Sequence, residues 1–471
     1  MMVLQPANAA SFLVIRLCLV LGIAGMLGPG QESAARAQRQ GPSPVTALTP
    51  TTPQVVQRQP DEVAAKAAAV RREVGVKLAE GLDLQLWADE SLLYDPIAID
   101  FDGQGRLYAT QTGRRRSPDI DIRQHREWMT TSLTFRTVDD RRTFLRRTLA
   151  PERSAENAWL DDVNKDGSRD WRDLLVKKER VSRIEDTNGD GLADRSTVLI
   201  EDFHTEETDV AGGLLVNGSD VYVAVSPDLW RLRDSNGDGT LDTKQSLATG
   251  FHLHIGYGGH GMSGATLGPD GRIYWSIGDV GMNTVDANGR RWDYRNQGVI
   301  VRSNPDGSDF EVFAAGLRNT HEFTFDEHGN LISVDNDGDH AGENERIVYI
   351  TDGQDSGWRI NWQFGKYTDP DNNPYRVWMD EGMFKPRFEG QAAWFTPPVA
   401  AYDGGPAGMV YNPGTAMSDR WRRHFFVADF SGSRANSRVT AAMALLPTSC
   451  SVDLIWHGGA KMGRLLASTG L

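Results

Sequence analysis

One phrase recurs along this chain and constrains its fold more than any other feature. A strand-like run enters Asp-x-x-Gly-(Arg/Asn)-Leu/Ile, and a second strand-like run leaves it. The phrase reads IAIDFDGQGRLYATQ at 97–111, GATLGPDGRIYWSIGD at 264–279 and EFTFDEHGNLISVDND at 322–337. Looser copies are GGLLVNGSDVYVAVS at 212–226 and AGMVYNPGTAMSDRWRRHFFVADF at 407–430. Apolar runs on both sides of an Asp/Gly turn predict a β-hairpin in each copy. Further strand-like runs lie between the copies, for example at 298–316. Four-stranded units repeated every roughly 50–60 residues predict an all-β fold, a β-propeller. Five blades are legible, of a six-bladed type whose last blade is missing or unreadable. The stretch near 113–185 interrupts the spacing. It is rich in Arg, with helical periodicity at 139–149, and reads as a helical insertion projecting from an early blade.

The two ends differ from this middle. Residues 11–28 are almost wholly apolar, and Ala35-Arg36-Ala37 fits a small-x-small cleavage pattern, so residues 1–37 read as a secretory signal peptide. No Lys or Arg precedes Arg16, and an uncleaved N-terminal anchor is the alternative; membrane association is expected only through such a leader. Export to the periplasm or the extracellular space follows. Residues 38–75 read as a flexible linker and a short helix, the Pro/Thr/Gln-rich stretch at 38–60 lacking any apolar periodicity. The propeller is placed at 76–436. Residues 437–471 carry net +2 against −16 for the rest, and no Asp-Gly turn or aromatic strand is visible there. Such a discordant tail suits a frameshift or a truncated reading frame; a naturally divergent tail is the alternative.

Charge and cysteine usage narrow the function. A net charge of −14 repels phosphate backbones, so no nucleic-acid partner is expected. The only cysteines are Cys18 and Cys450, which excludes a disulfide scaffold, a Cys-ligated zinc site and a CxxCH haem site in this chain.

Three loops share the form Asp-x-Asn-x-Asp-Gly-x-x-Asp: Asp162/Asn164/Asp166/Asp170, Asp186/Asn188/Asp190/Asp194 and Asp234/Asn236/Asp238/Asp242. Oxygen ligands at positions 1, 3, 5 and 9 around a glycine turn are how short loops wrap Ca²⁺. The first loop also has Asp173 at position 12, where a closing carboxylate belongs; the others have Thr197 and Gln245 there. Such calcium would be structural. The plain alternative is that Asp, Asn and Gly make tight turns between strands.

A second constellation is more specific. His260 lies in GGHGMSGATLGPDGRIYWSIGD, nineteen residues before Asp279, and Arg318-Asn319 follow in AAGLRNTHEFTFDEHGNL. Then come DNDGDHAGENERI at 335–347 and SGW at 356–358. These residues fall at equivalent ends of neighbouring blade strands and are expected to meet at the propeller's central funnel, where ligands bind. Histidine suits a base that removes a hydroxyl proton, and a guanidinium or Ca²⁺ suits an oxygen on which charge develops.

Over roughly 80–435, and most sharply over 256–360, the sequence resembles the soluble pyrroloquinoline quinone (PQQ)-dependent glucose/sorbosone dehydrogenases. The resemblance implies oxidation of a sugar or polyol hydroxyl, with PQQ as cofactor. It makes His260 the general base, Asp279 the carboxylate beside it, Arg318 and Asn319 the grip on the quinone, and Glu345 a calcium ligand near the cofactor. The chain departs from that family in three places. The late-blade basic residues that bind quinone carboxylates are not found, Ser356 stands where Tyr is usual, and the acidic loops and the insertion have no counterpart. In these respects the chain is closer to large secreted bacterial proteins whose dehydrogenase-like propeller precedes a c-type cytochrome, the implied electron acceptor. A calcium-stabilised, non-catalytic propeller that binds carbohydrate or a protein partner is the alternative.

Overall fold

A computed structural model describes residues 40–48, 54–73, 85–114, 120–339, 345–371, 388–389, 397–402, 405–415, 418–429, 442–446 and 452–455. The expected leader, 1–37, lies outside these residues. Besides a two-stranded sheet of Met282–Val285 and Arg291–Tyr294, five sheets, each built on four antiparallel strands, follow one another along the chain. Blade 1 comprises Pro96–Phe101, Leu107–Thr112, Glu179–Glu185 and Arg195–Asp202, and blade 2 comprises Gly213–Asn217, Asp220–Val225, Asp228–Arg233 and Thr243–Thr249. Blade 3 comprises Met262–Leu267, Ile273–Ile277, Gly298–Ser303 and Glu311–Leu317. Blade 4 comprises Thr320–Phe325, Leu331–Asp335, Glu345–Ile350 and Ala400–Tyr402. Blade 5 comprises Pro406–Asn412, His424–Asp429, Ala442–Leu446 and Val452–Ile455. The first strands of consecutive blades lie side by side, the arrangement of a β-propeller.

The repeated phrase forms the first hairpin of a blade for a local reason. In blade 1, Asp102 Oδ1 accepts the amide of Arg106 at 3.0 Å. In blade 4, Asp326 Oδ1 accepts the amide of Asn330 at 2.8 Å. The Asp side chain thus closes the turn, and the glycine within it takes the left-handed backbone that side chains resist, as Gly105 does at φ +76°. The core lies between blades. Tyr222, Phe251, Trp275 and Phe310 fill the space between blades 2 and 3, and Tyr274, Phe313 and Phe323 fill that between 3 and 4. Burying one such ring contributes about 1.5–3 kcal/mol, so each blade's stability depends on its neighbours.

Two segments behave unlike their sequence. Within 38–60, expected to be a flexible spacer, Thr46–Ala47 pairs with the last strand of blade 2 and Val55–Gln57 with that of blade 1. An edge strand exposes unpaired amides and carbonyls that any backbone can satisfy, so this pairing needs no apolar periodicity. The short helix follows at Pro60–Glu73 and buries no residue. Within the discordant tail, Ala442–Leu446 pairs with His424–Asp429 and Val452–Ile455 adds outside it.

The helical insertion leaves blade 1 between Leu107–Thr112 and Glu179–Glu185. Its main helix, Val138–Thr148, starts at a capping box formed by Thr137 and Asp140. It does not project, as expected from sequence, but folds down. Ile122, Trp128, Phe144 and Leu145 share one apolar cluster with Ile255, Tyr257, Ile360 and Phe364 from the propeller side. Its arginines are anchors: Arg141 donates to Glu207 O at 2.6 Å, and Arg142 and Arg146 pair with Glu207 and Glu206. Among the described residues no helix is long and apolar enough to cross a membrane.

Candidate active site at one end of blades 3 and 4

In an antiparallel hairpin the start of the first strand and the end of the second lie together. His260 precedes the first strand of blade 3 and Asp279 follows the second; Arg318 and Asn319 precede the first strand of blade 4 and Asp335 ends the second. The propeller therefore brings the four sequence-predicted residues, His260, Asp279, Arg318 and Asn319, to one end of two adjacent blades.

His260 and Asp279 are both buried, and His260 Nδ1 lies 2.8 Å from Asp279 Oδ1. The other carboxylate oxygen accepts the indole N–H of Trp358 at 2.8 Å, and the Asp279 amide donates to Arg318 O at 2.8 Å. An ionised carboxylate only accepts, so it sets the proton on Nδ1 and leaves the Nε2 lone pair free to take a proton. Nε2 has no hydrogen-bond partner among the described residues. The surrounding glycines make room: a Cβ on Gly278 would sit 2.5 Å from His260 O, and one on Gly261 only 2.3 Å from Asp209 Oδ2.

Arg318 is buried, its guanidinium 5.2 Å from the Tyr257 ring and 5.6 Å from the Trp358 ring. It donates through Nε to Gln363 at 3.2 Å and through Nη2 to Asp339 at 3.0 Å, leaving Nη1 without a partner among the described residues. Burial raises the Asp339 carboxyl, but the charges of Arg318 and Arg123 outweigh it and hold the group below the usual range. Asn319 donates its side-chain amide to Gly259 O at 3.3 Å and to Asn336 Oδ1 at 3.0 Å, with His321 Nε2 also 3.0 Å away. Its buried Oδ1 has no partner among the described residues. Both backbone amides, of Arg318 and Asn319, rest on Asp335, which is itself paired with the buried Arg346.

Glu345 opens the third strand of blade 4, accepting the amide of Asp337 and, at 3.4 Å, the Asn336 side chain. Burial first, then the neighbouring Asp337, pushes its carboxyl up to about 8. A cation bound here would have to displace that proton.

The three acidic loops close on themselves. In each, both oxygens of the first Asp (Asp162, Asp186 and Asp234) receive loop amides, including that of the glycine at position 6: Gly167 at 2.9 Å, Gly191 at 2.8 Å and Gly239 at 2.8 Å. Positions 3 and 5, expected from sequence to aim their oxygens at a common ion, instead bond to each other. Asn164 donates its side-chain amide to Asp166 at 3.1 Å, Asn188 to Asp190 at 3.0 Å and Asn236 to Asp238 at 3.1 Å. The Asn oxygens are taken as well, accepting the backbone amides of Asp166, Asp190 and Asp238 at 2.9 Å. Asp166 is further shared with Arg172, 3.2 Å away. Such side chains are short and reach the amides of their own turn, so the turn chemistry of Asp and Asn accounts for the loop geometry. Turning the Asn amide would present positions 1, 3 and 5 as three oxygen donors.

The aspartates at position 9, and Asp173 at position 12, also bond within their loops. Asp173 accepts the amides of Val163, Asn164 and Asp170, and Asp170 binds Arg172. Asp194 and Asp242 take the amide and hydroxyl of Thr187 and Ser235 at position 2. Aspartate is one methylene shorter than the glutamate that closes calcium loops from position 12, and it reaches amides instead. Among the described residues no group of three or more His, Cys, Asp or Glu side chains is arranged to hold a metal ion.

Several members of the site escaped sequence reasoning. Tyr257, one turn before His260, packs its ring 5.0 Å from the imidazole. Arg123 comes from the insertion and lies 5.3 Å from the Tyr257 ring and 3.7 Å from Asp339. Asp335 and Asp339 were visible only as alternating acids, and Gln363 gave no signal at all.

Fold and site together define a β-propeller with a buried, oriented His–Asp pair at the end of its third blade, roofed by an insertion from its first. The chain belongs to the family described as "Domain of unknown function (DUF7133)", whose model matches residues 73–357. No curated protein matches it. Among solved structures it is similar to the PQQ-bound aldose sugar dehydrogenase from Streptomyces coelicolor, at 13% identity over 87% of this chain and 86% of that one, TM-score 0.38. It is similar also to the PQQ domain of pyranose dehydrogenase from Coprinopsis cinerea, at 13% identity over 83% and 90%, TM-score 0.42. A putative oxidoreductase (glucose dehydrogenase) from Thermus thermophilus matches at 14% identity over 79% and 86%, TM-score 0.39. None of the three is close enough to lend this chain an activity.

Proposed function

We propose that this chain is an exported, quinoprotein-like oxidoreductase that oxidises a hydroxyl of a sugar or polyol, using PQQ. The observation that carries the reading is the His260–Asp279–Trp358 chain of hydrogen bonds, which leaves one basic nitrogen of fixed orientation at the end of the blades. His260 Nε2 takes the hydroxyl proton as the carbon loses its hydride, and Asp279 stabilises the imidazolium that forms. PQQ, when bound, would accept the two electrons of that hydride. Arg318, through Nη1, and Asn319 would hold the quinone oxygen on which charge develops. The fit is good at that edge and incomplete at the carboxylates: Arg318 already shares its charge with Asp339, and the neighbouring Arg123 is paired with Asp121. Ca²⁺ in this reading is structural, held by positions 1, 3 and 5 of the acidic loops. Electrons would pass on to a c-type cytochrome, in keeping with the export expected from the leader.

The incomplete carboxylate clamp favours one second reading, a non-catalytic propeller that binds carbohydrate or a protein partner through the same end. Titration of the full chain with PQQ, followed by reduction of a dye acceptor across a panel of aldoses and polyols, separates the two. Stoichiometric PQQ binding with sugar-dependent dye reduction is expected. No PQQ binding and no reduction across the panel sinks the oxidoreductase.

A further inference from the structure

Tyr257 and His260 leave the same tight turn, closed by the His260 amide donating to Tyr257 O at 3.1 Å. Their rings stand 5.0 Å apart at 57°. Tyr257 is 3% exposed, yet its hydroxyl has no hydrogen-bond partner among the described residues. A buried hydroxyl left unpaired is destabilising, and a ligand oxygen would relieve it. The ring is held by the guanidinium of Arg318 at 5.2 Å, that of Arg123 at 5.3 Å and the edge of Phe364 at 6.0 Å. Burial first, then the charge of Asp279, raises the phenol well above its usual range, so it stays an O–H donor at neutral pH. With its ring 5.0 Å from the imidazole of His260 and 5.2 Å from the Arg318 guanidinium, Tyr257 belongs to the His260 site.

We infer that the Tyr257 hydroxyl is a second recognition group beside His260 Nε2, and that this end of the propeller takes a vicinal diol in preference to an isolated alcohol. One turn supplies an acceptor, Nε2, and a donor, the phenol. A substrate hydroxyl donating to the first leaves the neighbouring substrate oxygen to accept from the second. A lone alcohol satisfies His260 and leaves Tyr257 unpaired. Tyr257 is thereby a specificity-determining residue, and its orientation depends on the insertion through Arg123. The inference rests on the reading of His260 as the group that receives the substrate hydroxyl.

The test uses the full chain without added quinone, so that no turnover competes with binding. Affinities for cis-1,2-cyclohexanediol and cyclohexanol are measured by ligand-observed NMR for the native chain, Tyr257→Phe and His260→Ala. The native chain should prefer the diol by about tenfold, the value of one hydrogen bond. Tyr257→Phe should abolish that preference while leaving the alcohol's affinity unchanged, and His260→Ala should weaken both ligands. Equal affinities in the native chain, no diol binding, or a preference that survives in Tyr257→Phe would each overturn the inference. The first of these needs no variant, so a misfolded Tyr257→Phe does not shield it. A Tyr257-dependent diol preference without any PQQ-dependent turnover would keep this inference and remove the oxidoreductase reading; the reverse outcome would do the opposite.

Discussion

Trp358 donates its indole N–H to Oδ2 of Asp279 at 2.8 Å, across 79 residues of sequence and from the segment between the third strand of blade 4 and the helix at Ile360–Thr368. With His260 on the other oxygen, the carboxylate has no rotational freedom. Trp358→Phe keeps an aromatic ring and deletes the donor, leaving a buried oxygen unpaired. Stability should fall by about 1–3 kcal/mol in denaturant unfolding. Activity should fall too, because Asp279 would no longer be held against the imidazole. An unchanged unfolding midpoint would show that the indole bond is not made in solution.

Phe364 couples the insertion to the site. It is fully buried in the cluster that joins Trp128, Phe144 and Leu145 to Tyr257. Phe364→Ala should cost about 3–5 kcal/mol. If the insertion is a roof and not an ornament, the loss should also show as faster amide exchange over 120–150, before the blades open. Exchange confined to the blades would contradict that coupling.

Glu179, in the third strand of blade 1, is wholly buried and accepts the Thr112 hydroxyl at 2.8 Å and the Ala211 amide at 2.9 Å. Burial outweighs those bonds and the nearby Arg114, and pushes the carboxyl up to about 7. The folded state thus binds a proton that the unfolded chain releases near its ordinary value. Stability from this group is fully present below the unfolded value and is lost as pH rises to about 7. The loss is on the order of 3 kcal/mol. Unfolding free energies measured from about pH 4.5 to 8 should decline accordingly, and Glu179→Gln should flatten that decline. An unaltered slope in the variant would assign it elsewhere.

The acidic loops give a separate readout. Chelation of the full chain with EDTA should lower the melting temperature and added Ca²⁺ should restore it. Asp186→Asn or Asp234→Asn should shrink that response, since each removes a position 1 carboxylate. Asp173→Asn should lower the baseline and change the response least, because Asp173 already accepts three loop amides. A melting temperature indifferent to chelation would make these loops hydrogen-bonded turns and nothing more.

The hairpins, the order of the blades and the convergence of His260, Asp279, Arg318 and Asn319 were legible because each rests on local chemistry at a fixed place in a repeat. An Asp/Gly turn marks a hairpin, and residues flanking equivalent strands must share an end. What was not legible depends on distance in sequence. Nothing near Tyr257 signals that Arg123 will lie over its ring, and the Arg-rich helix gives no hint of the Glu206–Glu207 loop that holds it. The edge strands at 46–47 and 55–57 were missed because they contribute backbone, not side chains. In the acidic loops, position counting finds the oxygens of Asp166, Asp190 and Asp238 but not the neighbouring Asn amides that engage them.

If His260 Nε2 receives the substrate's proton, the most direct measurement is the rate of quinone reduction in a single turnover. PQQ-loaded chain is mixed with the best sugar of the panel, for the native chain and His260→Ala at matched PQQ occupancy. The expected result is a fall of at least about 10²-fold in the variant, with unchanged circular dichroism and PQQ affinity. A variant that folds, binds PQQ and reduces it at the native rate would contradict the role assigned to His260.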